Sequence, residues 1–187
     1  MLEVVEGFKG AGKTVYAAYR AYLTYLQNRA VFSNYHLEFP HQKINLDTFI
    51  SHPDILVDAT IIVDEAHNYF DAREFMSTKN QKFNKFQVQI RKRRVEVILT
   101  SQQFENIDLR IRKNTDIIST CHPYRSVLRD DEPTLRPCTL WEIEHHKVNM
   151  IMIKKDLVWA GHKIVWIKFN PSKYFSMYNS DEFLSDF

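Results

Sequence analysis

Glycine is scarce in this chain, at four residues in 187, where a soluble domain averages about 7%. That excludes a collagen-like or low-complexity chain and makes the place of each glycine informative. Cysteine is as rare: Cys121 and Cys138 are the only two. They are too few for the disulfide framework of a small secreted domain, and a reducing compartment suits them better. No run approaches the roughly 18 apolar residues of a membrane-spanning helix. The first residues carry Glu3 and Glu6 in place of a basic segment, so they do not read as a secretory leader. The formal net charge is only +2, so contact with nucleic acid requires a local patch rather than bulk charge. Repeats, low-complexity tracts and linkers are missing too. What the chain does have is 44% apolar and 26% charged residues, with thirteen Phe, nine Tyr and three Trp. This is the composition of one folded domain, 1–187, large enough to bury a core.

Three of the four glycines, Gly7, Gly10 and Gly12, fall within EGFKGAGKTV, residues 6–15. GFKGAGKT satisfies G-x-x-x-x-G-K-[ST] through Gly7, Gly12, Lys13 and Thr14. Ahead of it LEVVE (2–6) reads as a strand. Behind it residues 14–28 have helical spacing, with Val15, Tyr19, Tyr22 and Leu26 on one stripe and Arg20, Thr24 and Gln27 on another. Strand, glycine loop and helix together make an anion site from loop amides and a helix N-terminus. The expected nucleotide cradle is Gly7, Gly10, Ala11, Gly12, Lys13, Thr14 and Val15. Lys13 would reach the β- and γ-phosphates of ATP, and the Thr14 hydroxyl would ligate Mg²⁺.

Such a loop calls for a carboxylate at the tip of a buried strand. TIIVDEAHNYF (60–70) supplies one: an apolar β-branched run ends in Asp64-Glu65. Asp64 is the expected second Mg²⁺ residue and Glu65 the expected catalytic carboxylate on water. RVEVILT (94–100) is a further strand ending in Ser101-Gln102-Gln103, and glutamine at such a tip can sense a γ-phosphate. AVFS (30–33) and TDIIST (115–120) complete the set. The expected fold is an α/β P-loop NTPase: a mostly parallel sheet with helices on both faces and the nucleotide at the carboxyl ends of the strands. A motif-bearing core spans 1–122. An extension over 136–187 adds a β-hairpin of residues 148–154 and 164–169, with Gly161 in its turn and Trp159 and Trp166 packed nearby.

Two cationic clusters remain. Phe83, Phe86 and Ile90 mark a helix stripe that runs into Arg91-Lys92-Arg93-Arg94, and Arg110, Arg112 and Lys113 follow the sensor strand. These arginines suit a finger into a neighbouring subunit's ATP site, contact with DNA phosphates, or a solvated basic helix end. Cys121, His122, Cys138, His145 and His146 match no familiar zinc spacing. The terminal KYFSMYNSDEF suits docking on the core or on a neighbour, with core packing favoured.

The stretches GFKGAGKTVYAAYRAYLTYLQNRAVFSNYHLEF, IIVDEAHNYFDAR and QIRKRRVEVILTSQQFENIDLRIRK resemble the ATPase domain of zonular occludens toxin-like proteins. These occur in filamentous phages and in some archaeal viruses and plasmids, within the FtsK/HerA division of P-loop ATPases. The likeness covers roughly residues 2–120, with SNYHL and SQQFENID its more specific parts. By that resemblance Gln102 is the sensor, since it opens the shared Q-x(4)-ID pattern that ends at Asp108. The resemblance further implies a homo-oligomeric ring, a hexamer among its sizes, that pumps or extrudes DNA or assists virion assembly. It also implies a trans-acting arginine, with Arg110 and Arg112 first and Arg91 and Arg94 next. Toxin-like members usually continue into a transmembrane helix and an outer domain. The sequence to Phe187 shows neither, which gives the expectation of a packaging or translocation motor in the host cytoplasm. The alternatives are an assembly or secretion ATPase with a virion or membrane partner, and a nucleotide-dependent binding switch.

Overall fold

Short apolar runs become the parallel centre of one sheet. The computed structural model describes residues 1–44, 56–70, 86, 90–129, 132–153, 156–169 and 173–177. In chain order the strands are β1 (Leu2–Glu6), β2 (Ala30–Ser33), β3 (Gln42–Lys43), β4 (Ala59–Val63), β5 (Glu96–Ser101), β6 (Ile117–Arg129), β7 (Glu132–Ile153) and β8 (Asp156–Phe169). Their order in the sheet is β3-β2-β4-β5-β1-β6-β7-β8. Pairing is parallel from β3 through β6 and antiparallel from β6 through β8. β5 therefore lies between the strand that feeds the glycine loop and the strand that ends in Asp64. This is the additional-strand form of the P-loop fold. Parallel strands are covered on both faces, and the burial agrees: every residue of β4 is buried.

Two helices enter the description, α1 (Lys13–Leu26) and α2 (Leu109–Asn114). Each face of the sheet has its own apolar cluster. One gathers Leu2, Val4, Ile61, Val63, Val97 and Leu99 with Phe70, Phe86, Ile90, Phe104 and, from α2, Ile111. The other joins Val5, Ile62 and Ile98 to Val15, Tyr16, Ala17, Ala18 and Ala21 of α1. Residues 173–177 pack on α1, with the Tyr174 and Tyr19 ring centroids 4.6 Å apart and Glu38 N–H donating to Met177 O at 2.8 Å. Among the described residues no helix is long and apolar enough to cross a membrane.

Three expectations need correction. The buried side of α1 is Val15, Tyr16, Ala17, Ala18, Ala21 and Thr24, whereas Leu26 is exposed. Alanines let the helix lie close on the sheet, and the Thr24 hydroxyl is satisfied by Thr60 Oγ1 at 2.8 Å and Arg20 O at 3.3 Å. Gly161 is in the body of β8, opposite Val148, because the turn falls between Ile153 and Asp156. β6 does not end near Thr120 but continues to Arg129. Phe83, Cys138 Sγ, residues 178–183 and the indoles of Trp159 and Trp166 lie outside the described residues.

Candidate active site

The glycine loop joins the tip of β1 to α1, and its backbone accounts for its glycines. Gly12 has φ 88° and ψ 20°, left-handed, immediately before the helix, a conformation open to glycine at little cost. Gly7 has φ 151°, and a Cβ there would lie 3.0 Å from Ala11 Cβ and 3.3 Å from Cys121 O. The first intrahelical bond runs from Tyr16 N–H to Gly12 O at 2.9 Å. The amides of Lys13, Thr14 and Val15 therefore open the helix toward the loop, and no acidic side chain stands in that first turn. Val15 contributes backbone only, its side chain being fully buried. Lys13 is 6% exposed, and its ammonium donates to Gly7 O and Phe8 O at 3.1 Å each. It thus folds back over the concavity of its own loop, where an anion would meet it.

Thr14 faces the second motif directly. Its hydroxyl donates to both carboxylate oxygens of Asp64, at 3.2 and 3.1 Å. Thr100, on β5, donates its hydroxyl to Asp64 Oδ1 and accepts from Glu65 N–H at 3.0 Å. Burial pushes the Asp64 carboxyl above the ordinary aspartate range and neighbouring Glu65 adds to this, against the Thr100 and Thr14 hydroxyls and the Lys13 charge. A buried carboxylate beside a hydroxyl, with one ammonium near, is an oxygen donor set suited to a hard divalent cation. Mg²⁺ fits these residues. Glu65 is left-handed, with φ 50° and ψ 47°, which is uncommon for a residue with a side chain. His67 Nδ1 lies 3.3 Å from Glu65 Oε2.

Gln102 stands one residue beyond the Ser101–Glu6 pair of β5 and β1. It lines a cavity of about 440 Å³ with Gly7, Phe8, Lys9, Thr120 and His122. Gln102 and the glycine loop therefore share one space. Glu6 frames it, accepting from Phe104 N–H at 3.1 Å and from the Thr120 hydroxyl at 3.0 Å. Burial pushes the Cys121 thiol up to about 12, so, with no ion beside it, it is a neutral thiol at neutral pH. Among the described residues no group of His, Cys, Asp and Glu is arranged for a metal cluster.

The arginines divide. Arg110 stands in the first turn of α2, where its N–H caps onto Asp108 Oδ1 at 2.7 Å. Arg112 carries its guanidinium 5.9 Å above the Phe104 ring. Arg94 lies at the amino ends of the strands, away from the loop, and donates to Asp58 Oδ2 at 3.1 Å while Arg29 takes the other oxygen at 2.8 Å. Arg91 is in the same turn, and its side chain lies outside the described residues. Arg94 is thus engaged away from its own chain's glycine loop.

Sequence reasoning passed over Asn34 and Thr100. Asn34 is buried, donating through Nδ2 to Asp64 O at 3.0 Å and accepting from Asp64 N–H at 2.8 Å. This clasp binds the tip of β2 to the tip of β4. Its only trace in the sequence is a polar residue closing an apolar strand, within SNYHL.

The comparisons with known proteins agree with this architecture. The N-terminal domain of zonular occludens toxin from Neisseria meningitidis superposes with a TM-score of 0.59 at 16% identity, covering 95% of this chain and 98% of that one. The genome packaging NTPase B204 of Sulfolobus turreted icosahedral virus 2 gives a TM-score of 0.53 in complex with AMPPCP, at 13% identity over 88% and 98% of the two chains. In complex with ATP-gammaS it gives 0.52, at 14% identity over 88% and 97%. At such identities the likeness establishes the fold. No curated protein matches significantly. The sequence profile described as Zonular occludens toxin (Zot) matches residues 22–181, most of the chain, beginning within α1 and leaving out the glycine loop. By that match the chain belongs to the zonular occludens toxin family.

Proposed function

We propose that the protein is an ATPase that works as a homo-oligomeric ring and couples ATP hydrolysis to the movement or packaging of DNA. The observation that carries the enzymatic part is the single constellation of Lys13, Thr14, Asp64 and Thr100 at the carboxyl ends of β1, β4 and β5. Lys13 would exchange the carbonyls of Gly7 and Phe8 for phosphate oxygens, and the helix amides would hold the same anion. Thr14 and Asp64 would hold Mg²⁺, which neutralises charge on the triphosphate when bound. Glu65, kept in place by the Thr100 bond to its amide, would orient and deprotonate the attacking water. Gln102 would report the γ-phosphate from the cavity wall. Arg110 or Arg112, or Arg91 and Arg94 from the far end of a neighbour's sheet, would complete an adjacent subunit's site.

The DNA part is supported by the likeness of fold to a genome packaging NTPase. Membership of the toxin family favours a second reading, in which the same ATPase serves assembly or secretion through a protein partner. One experiment separates them: the steady-state ATPase rate against protein concentration, with and without duplex and single-stranded DNA, with Lys13→Ala as blank. A Lys13-dependent rate per subunit that rises with concentration and again with DNA supports the ring motor. Turnover indifferent to DNA favours the protein partner, and no Lys13-dependent turnover sinks both.

A further inference from the structure

The turn that follows Asp64 holds a contact that the chemistry proposed above does not use. Beyond β4 and Asp64 the backbone of Glu65 goes left-handed, with φ 50° and ψ 47°, and enters one turn of 3-10 helix over Ala66–Asn68. A residue with a side chain rarely adopts that backbone, and keeps it only where its surroundings hold it there. Here they hold it at both ends. Asn68 N–H donates to Glu65 O at 2.9 Å, and Ala66 O accepts from Tyr69 N–H at 3.1 Å and from Phe70 N–H at 2.9 Å. Ala66 and Phe70 are buried in the cluster on this face of the sheet. Phe70 O accepts from the N–H of Asp108, the capping residue of α2, at 2.9 Å. At the other end the Thr100 hydroxyl on β5 takes Glu65 N–H at 3.0 Å. The backbone of residues 65–70 is therefore tied to β5, to the core and to the start of α2.

On a regular helix, residues two apart do not face each other. The left-handed turn brings such a pair together: His67 Nδ1 lies 3.3 Å from Glu65 Oε2. That nitrogen is screened from water and closes no hydrogen bond of good geometry among the described residues. A shielded polar atom in that state costs stability. As an ion pair the contact offsets little of this, since both side chains are partly exposed, 25% for His67 and 31% for Glu65. Stability therefore does not account for the placement, whereas orientation does. An ionised carboxylate only accepts, so Nδ1 carries the proton when it meets Oε2. Hydrogen bonds between catalytic groups are often long or poorly aligned until substrate binds, and tighten then. A 3.3 Å contact on a pinned turn is in that condition.

We propose that His67 is a positioning residue for Glu65: its Nδ1–H holds Oε2 and so presents Oε1 to the water that attacks the γ-phosphate. The inference rests on the ATPase reading above and names what aims that reading's carboxylate. Its test is the steady-state ATPase of the full chain as wild type, His67→Ala, His67→Asn, Glu65→Gln and the double variant Glu65→Gln/His67→Ala. His67→Ala should lower kcat by about 10–100-fold, the cost of a reacting group misplaced by an ångström or less, and leave KM within about twofold. His67→Asn puts an amide N–H near the place of Nδ1 and should recover about half or more of the wild-type kcat. In the Glu65→Gln background the loss of His67 should change nothing further, because a residue that acts through Glu65 has no effect once that carboxylate is gone. A merely structural role would lower both backgrounds alike. Unchanged or faster turnover by His67→Ala overturns the proposal, and so does an equal loss in both backgrounds or an asparagine no better than alanine. A wild type without Lys13-dependent turnover sinks the ATPase reading itself and takes the proposal with it. Should His67→Ala fail to fold, the wild-type protein answers through ¹⁵N NMR of its histidines with AMPPCP and Mg²⁺ added, the His67 signals being those missing from His67→Asn. A proton on Nδ1 is expected, and a bare Nδ1 defeats the proposal.

Discussion

Asn34 shows how much of the strand tip that carries Asp64 depends on a side chain outside the proposed chemistry. Its amide closes two hydrogen bonds on the backbone of Asp64, so Asn34→Ala leaves a buried N–H and a buried carbonyl without that partner. Each such group costs about 1–3 kcal/mol. The expected outcome is a lower melting temperature together with a fall in turnover larger than any change in nucleotide affinity. A variant as stable and active as wild type would refute the positioning role. Glu65→Gln tests the neighbouring residue. Removing a positioned general base costs about 10²–10⁴ in rate, so turnover should fall that far while the binding of a fluorescent ATP analogue survives. Unchanged turnover would take the catalytic role away from Glu65. The glycines, Lys13, Thr14 and Asp64 were legible because chemistry forces their residue type at a set spacing. Asn34 and Thr100 were not, since any small polar residue closing a strand looks the same until the strands stand side by side.

At the scale of elements, β1, α1, β6 and β7 meet in one buried polar network. Glu3, fully buried, accepts from Arg20 Nη1 at 2.7 Å and from the Ser119 hydroxyl. Ser119 Oγ lies 2.7 Å from His145 Nδ1, and Tyr16 OH lies 3.4 Å from His145 Nε2. The helix that follows the glycine loop is thereby tied to the antiparallel extension. Burial lowers the pKa of His145 below the ordinary value of 6.5, with Glu3 opposing and with Arg20 and His146 adding to the effect. The folded protein holds His145 neutral, while the unfolded chain takes up its proton at the ordinary value. Its contribution to stability is therefore complete above about pH 6.5 and declines as the pH falls below it. Melting temperature recorded from pH 8 to 5.5 should drop more steeply for wild type than for His145→Gln. Parallel curves would show that another group sets the acid limit. Sequence reasoning treated His145 only as a weak metal ligand, because nothing local reveals that Glu3, Ser119 and Tyr16 surround it.

Across the whole molecule, stability should grade from the centre of the sheet outward. β1, β4 and β5 each pair on both sides and are buried on both faces, whereas the two-stranded arm of β6 and β7 beyond Thr120 has, among the described residues, strand partners on one side only. Isolated two-stranded ribbons are marginal. Hydrogen exchange followed by mass spectrometry should find Val4, Val5, Ile61 and Ile98 slowest, by roughly 100-fold or more over Val127, Leu128 and Thr134. Uniform protection would mean that the arm is covered by another part of the protein. The cavity holding Gln102 also belongs to this scale, since its walls come from the loop after β1, the tip of β5 and the middle of β6.

Local sequence determined that strands at residues 2–6, 30–33 and 60–63 form as they do and that a glycine loop opening a helix follows the first of them. Backbone freedom, amide donors and β-branched burial act over a few residues and leave their mark there. The tertiary structure decided that β5 lies between β1 and β4, bringing Thr100 onto Asp64. It also decided that α1 buries its alanines and Thr24, leaving Leu26 outside, and that Arg94 sits far from the loop beside Asp58. These are choices of partner between segments tens of residues apart, and no local preference of the chain encodes which neighbour a strand will take.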